Sequence, residues 1–368
     1  MKLRIVNVVG ARPNFMKMAP LIMEYRKHHD AFEPLLVHTG QHYDDNMSGL
    51  FFEQLHLPKP DVYLGVGSGT HAEQTAKVMI ELEKLLAKQP ADLVVVVGDV
   101  NSTMAAAIVA AKLCIPLAHV EAGLRSFDRT MPEEINRLVT DALSDYCFTT
   151  SQDADENLRR EGVAAEKIFF VGNVMIDTLL RLREQALKSD IHKRLAVGER
   201  YGYVTLHRPS NVDDKTTLAG ILSALDVVQE NLPLVFPAHP RTINRMREFG
   251  LWNEVSRWPN MRLTEPIGYM DSLCLMSGAT LVLTDSGGVQ EETTVLGVPC
   301  LTIRENTERP VTVMEGTNTV VGTSHERIVS EARRILDGNG KRGRVPKFWD
   351  GKAAQRIVSV LLEHPPKS

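Results

Sequence analysis

Short runs of aliphatic and β-branched residues alternate with helical stretches along almost the whole chain, and this alternation restricts the possible folds more than any other feature. The first series of candidate strands reads RIVNVV, PLLVHT, LVVVV, LAHV, YCFTT and IFFVG, and the second reads YGYVTL, LVFPA, MRLTE, LVLTD and CLTI. Strands of this length separated by helices are typical of parallel sheets with crossover helices. The sequence therefore predicts an α/β fold with two Rossmann-like halves.

A charged helical stretch, LLRLREQALKSDIHKRLAVG at residues 179–198, separates the two series. The length of 368 residues also suits about two domains. We predict an N-terminal domain at residues 1–185 and a C-terminal domain at residues 186–349, with a cleft between them. The tail KAAQRIVSVLLEH has apolar residues at helical spacing. We expect residues 350–368 to form a helix that packs back on the first domain.

Charge and composition exclude several classes of partner. The net charge is -4 and the pI is near 6.3, whereas nucleic acids and anionic membranes favour a basic excess. No run approaches the ~20 apolar residues of a membrane span. The four cysteines are scattered, without the spacing of a zinc site or a disulfide framework. We expect a cytoplasmic protein with no nucleic-acid, membrane or metal partner.

Polar residues follow most of the candidate strands. Ligands of open α/β sheets bind beyond the carboxyl ends of the strands, which is where these residues fall. In the first half they are Arg12, Lys17, Gln41, His42, Asp99 and Glu121, and in the second half His207, Arg208, His239, Arg241, Asp285, Ser286, Arg304 and Arg309. Each alone is as compatible with a helix cap or a solvated surface residue as with a ligand contact. Their recurrence at successive strand ends predicts a ligand site.

The segment LVLTDSGGVQEE indicates what that ligand is. Ser286, Gly287 and Gly288 at a helix start offer backbone N–H groups and the positive end of the helix dipole to a phosphate. His207, His239 and Arg309 are expected around the same anion. A carboxylate in the first helical turn, Glu291 or Glu292, is expected to bind ribose hydroxyls, as in dinucleotide sites. The segment therefore predicts a nucleoside-diphosphate site.

Two common nucleotide motifs are absent from the sequence. The first strand is followed by GARPNFMK rather than GxGxxG, and GxxxxGK[ST] does not occur. The sequence thus predicts neither an ordinary NAD-dependent dehydrogenase nor a P-loop NTPase.

Ten ordered segments resemble the non-hydrolysing UDP-N-acetylglucosamine 2-epimerases. They are GARPNFMKMAP, GQHYD, GDVNST, HVEAGLRS, PEEINR, LHRPSNVD, AHPR, TDSGGVQEE, VPCLTIRENTERP and GTN, and they span residue 10 to about residue 318. The resemblance implies a GT-B fold, in which two Rossmann-like domains carry parallel sheets facing a central cleft. It also implies a homodimer that interconverts UDP-GlcNAc and UDP-ManNAc without NAD or an essential metal, for cell-surface polysaccharide synthesis.

The resemblance also assigns roles by motif position. Asp99, Glu121 and Glu133 match the acid/base carboxylates, with the face of C2 served by each left open, and His207 matches the residue that assists the departing diphosphate. We expect burial and mutual repulsion to raise the pKa of at least one of the three carboxylates. Asp285 is expected to form the turn or cap a helix. The substrate-binding residues are expected to be Arg12, Lys17, His239, Arg241, Ser286, Gly287, Gly288, Glu292 (on the ribose) and Arg309.

The chain departs from the usual family pattern in several segments. Ala11 and Asn14 stand where a threonine and a glutamate are usual, and Pro209 replaces a frequent arginine. The segment GQHYDDNM differs from the AQHxxM type that helps form an activating second UDP-GlcNAc site in some members. Near the expected uracil contact, Ser272 replaces an aromatic residue. These differences argue against allosteric activation and for altered uracil packing.

Other functions remain open on the sequence alone. A close relative within the family epimerises UDP-2,3-diacetamido sugars and also carries GARP-type first loops. A hydrolysing epimerase and a glycosyltransferase are disfavoured by the intact GARP, HVEAGLR and PEEINR segments and by the three carboxylates of the first half. A nucleotide-sugar sensor that binds without turnover is disfavoured because binding alone gains nothing from crowded carboxylates.

Overall fold

The computed structural model describes residues 2–40 and 59–366. Gln41 and His42 lie outside the described residues, as does the side chain of Arg12. The chain divides into two compact units, Met1–Thr178 with Lys347–Ser368, and Leu179–Pro346. Across the described ranges, the structure contains no helix with the length and apolar character needed to cross a membrane.

The first unit is built on a seven-stranded sheet whose described pairings are all parallel, in the order β3-β2-β1-β4-β5-β6-β7. All five residues of its central LVVVV strand are buried, as expected for a strand covered on both faces. The strands are β1 (Leu3–Val9), β2 (Phe32–His38), β3 (Val62–Tyr63), β4 (Leu93–Val97), β5 (Leu117–Ala122), β6 (Tyr146–Thr149) and β7 (Ile168–Phe170).

Helices cover this sheet between successive strands. Thr70 and Glu73 begin the second of them with a capping box, in which each side chain accepts the backbone N–H of the other residue. The described helices are α1 (Arg12–Lys27), α2 (His71–Lys88), α3 (Asn101–Lys112), α4 (Pro132–Leu143), α5 (Gln152–Arg160), the short 3-10 helix Ala165–Lys167, and α6 (Val174–Ala186), within which the first unit ends.

The second unit repeats the plan with a six-stranded parallel sheet in the order β10-β9-β8-β11-β12-β13. Its strands are β8 (Gly202–Thr205), β9 (Leu234–Pro237), β10 (Met261–Thr264), β11 (Leu281–Thr284), β12 (Cys300–Thr302) and β13 (Asn318–Val320). Its helices are α7 (Ile191–Arg194), α8 (Pro209–Val212), α9 (Lys215–Gln229), α10 (Pro240–Glu248), α11 (Trp252–Val255), α12 (Tyr269–Gly278), α13 (Gly287–Leu296), α14 (Pro310–Met314) and α15 (His325–Arg334), followed by the π-helical turn Ile335–Asn339.

The predicted α/β architecture with two parallel sheets is confirmed. Every strand expected from the sequence forms, and the two additional strands, β3 and β13, are edge strands of two and three residues. Strands this short carry too few residues for a recognisable pattern.

The C-terminal helix α16 (Ala353–Glu363) packs against α1 in the first unit. Its first two N–H groups, from Ala353 and Ala354, donate to the carboxylate of Asp177 at 3.1 and 2.8 Å. Just before it, the buried indole of Trp349 donates to the backbone carbonyl of Thr150 at 2.9 Å. These contacts fix the chain end to the first unit through hydrogen bonds as well as apolar packing.

The segment that leads into α16 passes over Gly172, which has a φ of 92°. A Cβ at position 172 would collide with the carbonyl oxygen of Phe348 and lie 2.9 Å from its carbonyl carbon. Only glycine both adopts this backbone conformation without strain and lets the two backbones approach so closely.

Gly172→Ala is expected to lower the free energy of unfolding by about 3 kcal/mol, because about 1–2 kcal/mol of left-handed strain adds to a backbone collision. Gly162→Ala is a matched control, since Gly162 has a φ of 88° and a new Cβ there meets no described heavy atom within 4 Å. Gly162→Ala should lower the free energy of unfolding by the strain alone, about 1–2 kcal/mol. Urea unfolding followed by circular dichroism measures both, and equal losses would contradict the close approach.

Candidate active site

Asp99 and Glu121 lie at the carboxyl ends of the neighbouring strands β4 and β5. The N–H of Gly98 donates to the carbonyl of Val120 at 3.1 Å, which holds the two strand ends side by side. From α4, the guanidinium of Arg137 donates to Oδ2 of Asp99 at 2.5 Å, and Asn136 donates to the backbone carbonyl of Asp99 at 2.8 Å. Helix α4 therefore fixes the Asp99 turn through both side chain and backbone.

Glu121 has a strained backbone. Its φ is 77°, in the left-handed region, and the register of β5 against β6 shifts between Val120 and Ala122. An irregularity of this kind turns a side chain away from the alternating pattern of the strand. Such a conformation in a residue other than glycine costs about 1–3 kcal/mol and is found most often at functional sites.

The buried Glu121 carboxylate forms an ion pair with the buried ammonium of Lys17, one turn into α1. The start of α1 is tied to the same strand ends, because Asn14 donates to the carbonyl of Val97 at 2.9 Å and accepts N–H groups from Gly10 and Ala11. Asn14, a departure from the family pattern, thus holds the turn that precedes α1 in this chain.

The two glutamates of PEEINR have different environments. Glu133 is half-buried in the first turn of α4. Glu134 is buried, accepts the N–H groups of Ser126 and Phe127 at 2.9 Å each, and pairs with Arg137. Burial would raise the pKa of Glu134, but these N–H groups and Arg137 outweigh it and hold the pKa below its usual range. Glu134 is a structural residue that the sequence did not single out, although its spacing of three from Arg137 is a signal for the pair.

We expected mutual repulsion among Asp99, Glu121 and Glu133. The structure instead gives Asp99 a counter-ion in Arg137 and Glu121 a counter-ion in Lys17. A counter-ion of this kind offsets repulsion between neighbouring carboxylates, and the expectation for the three residues stays a prediction. Lys17, which we predicted as a nucleotide contact, has Glu121 as its partner.

In the second unit, His207 follows β8 and is held by Asp285, which follows the adjacent strand β11. Nδ1 of His207 lies 2.9 Å from Oδ1 of Asp285. The other oxygen, Oδ2, accepts the N–H groups of His207 and Arg208 at 2.9 Å each and the amide of Asn211 at 3.2 Å. Although burial raises the pKa of Asp285, the contacts with His207 and Arg208 outweigh it and lower the pKa. Asp285 therefore orients the imidazole as well as shaping the turn that we predicted for it.

His239 lies beside His207, with the two ring centroids 5.9 Å apart. Its Nδ1 accepts the N–H of Arg241 at 3.2 Å, at the start of α10. Burial, together with the charges of His207 and Arg241, lowers the pKa of His239. The side chain of Arg241 forms an ion pair with Asp213, so this predicted substrate contact is already occupied by a carboxylate.

The glycine-rich turn begins α13, and the helix starts earlier than we expected. Ser286 is the N-cap and Gly287 the first helical residue, so Glu291 and Glu292 fall in the second turn and not in the first. A Cβ on Gly287 would lie 2.5 Å from Nη1 of Arg309. The absence of a side chain there gives room to Arg309 beneath the turn.

Arg309 is correspondingly buried among carboxylates. Its guanidinium contacts Glu291 at 2.7 Å and Glu308 at 2.6 Å, and Glu308 also pairs with Arg304 at 2.7 Å. We expected Arg309 to surround the anion together with the histidines. In the structure its described contacts are these carboxylates below the turn, which supports a role in shaping the turn.

Glu292 is buried and accepts the hydroxyl of Tyr269 at 2.8 Å. Burial, reinforced by the charge of Glu291, raises the pKa of Glu292 to about 7 despite the hydrogen bond from Tyr269. Nearby, the hydroxyl of Tyr203 and that of Ser272 lie 2.8 Å apart, so Ser272 contacts an aromatic residue where an aromatic side chain was expected. Tyr269 and Tyr203 thus contact candidate residues, and the sequence did not single them out.

The structure thus forms two clusters, each within one unit. The first contains Asp99, Glu121, Lys17, Arg137 and the start of α4 with Glu133; the second contains His207, His239, Asp285, Ser286, Gly287, Gly288, Glu292, Arg309 and, at its edge, Arg241. Of Arg12, only its place as the first residue of α1 is described.

Comparison with known proteins decides the family. A family model described as UDP-N-acetylglucosamine 2-epimerase matches residues 24–362. The chain belongs to the UDP-N-acetylglucosamine 2-epimerase family. The family predicted from the sequence, its isomerase class and the GT-B fold are thereby confirmed.

Relatives of this family match the chain from end to end. The UDP-N-acetylglucosamine 2-epimerase of Methanocaldococcus jannaschii is 44% identical over 98% of this chain and 99% of its own length. The UDP-2,3-diacetamido-2,3-dideoxy-D-glucuronate 2-epimerase of Pseudomonas aeruginosa is 40% identical over 98% of this chain and 100% of its own. A crystal structure of the M. jannaschii UDP-GlcNAc 2-epimerase with UDP-GlcNAc and UDP has a TM-score of 0.91, with 44% identity over 98% of this chain and 100% of that one.

The raised pKa of Glu292 makes stability depend on pH. A carboxyl group with a folded-state pKa of about 7, above its ordinary 4.5, stabilises the fold fully at low pH, and this contribution is lost as the pH rises through 7. Wild-type protein should therefore lose about 3 kcal/mol between pH 5 and pH 9 relative to Glu292→Gln. Urea unfolding across this range measures the difference. Glu156→Gln, on the exposed face of α5, serves as the control, and parallel curves for wild type and Glu292→Gln would refute the prediction.

Proposed function

We propose that this protein interconverts UDP-GlcNAc and UDP-ManNAc by inverting C2 of the sugar. The observation that carries the proposal is the pair of carboxylates, Asp99 and Glu121, at adjacent strand ends, each with its own counter-ion. Inversion of a carbon centre requires one group that removes a proton from one face and another that delivers a proton to the opposite face. The first unit supplies carboxylates for both tasks, and relatives of high identity named for this reaction support the assignment.

The proposed route is an elimination followed by an addition. A carboxylate removes the C2 proton, the C2–H electron pair forms the C1–C2 double bond, and the C1–O bond breaks with its electron pair passing to UDP. The intermediate is 2-acetamidoglucal. Protonation of C2 from the opposite face and return of the UDP oxygen to C1 complete the inversion. No electrons are gained or lost overall, so the route needs no nicotinamide cofactor.

The residue roles follow from chemistry and position. Asp99, Glu121 and Glu133 are the proposed proton-transfer groups. Lys17 is the ion-pair partner of Glu121, and Arg137 is the ion-pair partner of Asp99. The proposal leaves open which carboxylate serves which face of C2.

We assign the UDP moiety to the second unit. The N–H groups at the start of α13, at Ser286, Gly287 and Gly288, are the proposed contacts of the diphosphate. His207, oriented through Asp285, supplies a hydrogen bond to the departing phosphate oxygen, with His239 beside it. Glu292 is the proposed ribose contact. Arg12, Arg241 and Lys17 are proposed as further cations of the substrate site, and Arg309 as the support of the turn.

We further propose that the protein acts as a cytoplasmic homodimer. Nucleotide sugars are cytoplasmic metabolites, and no part of the proposed chemistry requires a membrane. Light scattering coupled to gel filtration would test the dimer, and a monomer mass at micromolar concentration would refute it.

The decisive experiment is incubation of the purified protein with UDP-GlcNAc in heavy water without added NAD. Deuterium should appear at C2 of both UDP-GlcNAc and UDP-ManNAc, with traces of free UDP and 2-acetamidoglucal. Mass spectrometry and proton NMR measure all four. Absence of both UDP-ManNAc and C2 deuterium would leave either a different sugar or a protein that binds without turnover.

A second candidate substrate is a UDP-2,3-diacetamido sugar. It is favoured by the 40% identity to the P. aeruginosa epimerase over nearly the whole of both chains. The same heavy-water assay with that sugar separates the two, since the better substrate shows the higher kcat/KM for C2 exchange. A substrate preference for the diacetamido sugar by more than tenfold would replace the first proposal.

Asp99→Asn and Glu133→Gln should each lower kcat by about 10²–10⁴-fold, because each removes a proton-transfer group. UDP affinity, measured by calorimetry, should change less than threefold, since UDP is assigned to the other unit. Glu156→Gln removes an exposed carboxylate and should leave both quantities unchanged. Parallel losses of kcat and UDP affinity in the two site variants would count against their roles.

A further inference from the structure

His119 is a buried histidine that the proposed mechanism does not use. It lies in β5, two residues before Glu121, and its side chain has no exposed surface. Its Nδ1 is 2.6 Å from Oδ1 of Asp141 in α4, and its Nε2 is 2.8 Å from the carbonyl oxygen of Gly98. A buried imidazole that uses both nitrogens is held in one orientation.

The two ends of this pair contact the backbone beside both strand-end carboxylates. Gly98, whose carbonyl faces His119, directly precedes Asp99. The second oxygen of Asp141 accepts the N–H of Gly123 at 3.0 Å, two residues after Glu121. His119 and Asp141 therefore link the Asp99 turn to the strained segment that carries Glu121.

Hydrogen-bond chemistry sets the direction of one end of this link. The carbonyl of Gly98 only accepts, so Nε2 of His119 donates to it. At the other end, Nδ1 and Oδ1 of Asp141 are 2.6 Å apart, which is at the short end of the hydrogen-bond range.

The surrounding residues hold Asp141 in turn. Arg125 lies 2.7 Å from Oδ2 of Asp141 and donates to Glu161 at 2.8 and 2.5 Å through Nε and Nη2. Asn157 donates to the carbonyl of Gly123 at 3.0 Å. A strained backbone such as that of Glu121 persists only where its surroundings determine it, and this network supplies that restraint.

We propose that His119 and Asp141 are positioning residues that set the placement of the Asp99 and Glu121 carboxylates for proton transfer. This inference rests on the proposed epimerase function. The pair does not touch the substrate; it acts by holding the backbone of Gly98 and Gly123. A small displacement of a proton-transfer group lowers the rate of the chemical step while leaving a remote binding group unaffected.

Three variants separate positioning from general stability. Asp141→Asn keeps the geometry, because its amide N–H donates to Nδ1 of a neutral His119 while its oxygen accepts from Gly123 and Arg125. His119→Gln keeps a donor for Gly98 but places an amide oxygen against Asp141. Asp141→Ala removes both links.

The expected result is a graded loss of kcat in the assay with UDP-GlcNAc. Asp141→Asn should stay within about fivefold of wild type, His119→Gln should fall about 10-fold, and Asp141→Ala about 100-fold. KM and the Kd of UDP should change less than threefold throughout. Exchange of the Gly98 and Gly123 amide hydrogens, measured by NMR or mass spectrometry, should accelerate in the same order.

The outcomes distinguish this inference from the proposed function. Absence of C2 exchange in the wild type would refute the function, whereas wild-type kcat or amide exchange in His119→Gln would refute the positioning role. Equal losses in kcat and UDP affinity would show a merely structural role. Should Asp141→Ala fail to fold, the comparison of His119→Gln with Asp141→Asn decides the question alone.

Discussion

The constraint that shapes both units is that an ionised carboxylate cannot be buried alone. The acids singled out at the strand ends have separate partners: Glu121 with Lys17, Asp99 with Arg137, and Asp285 with His207. Both members of the Glu121–Lys17 pair are buried, and removing one member of such a pair typically costs about 3–5 kcal/mol, because the other charge is left unpaired. The partners are accordingly part of the fold as much as of the chemistry.

This pairing has a chemical consequence. A carboxylate beside a fixed cation remains ionised and can accept a proton, whereas a buried carboxyl without a cation holds its proton more tightly. Glu292 illustrates the second case, because its hydrogen-bond partner is the neutral hydroxyl of Tyr269 and its pKa rises to about 7. The two environments lie in different units, and the proposed proton transfers are assigned to the unit that contains the Glu121–Lys17 and Asp99–Arg137 pairs.

The sequence predicted the strand-end positions of the candidate residues better than the contacts between them. Asp99, Glu121, His207 and Ser286 could be placed at strand ends because the alternation of strands and helices is strong and parallel sheets collect their carboxyl ends at one edge. The counter-ions could not be deduced, since Arg137 meets Asp99 across 38 residues and Asp285 meets His207 across 78. Such pairs depend on tertiary register, which a local pattern does not contain. The same reason explains why His119 and Asp141 were missed, although both lie in or beside recognised segments. The turn at Ser286 was placed correctly, but the helix begins at Gly287, so Glu291 lies in its second turn and not in its first.

Arg309 lies near the predicted turn, but its contacts differ from those expected from the sequence. It was expected to bind the anion directly, yet its guanidinium lies under Gly287 and contacts Glu291 and Glu308. Arg304 and Arg208 also pair with Glu308, so three guanidinium groups face two carboxylates and leave one formal positive charge. In the proposed site, this charge adds to the N–H groups and dipole at the start of α13, and to His207 and His239, in attracting a diphosphate. The buried ion cluster of Arg309, Glu291 and Glu308 packs against the turn that carries those N–H groups. A glycine is needed at position 287 because a Cβ there would collide with the guanidinium of Arg309.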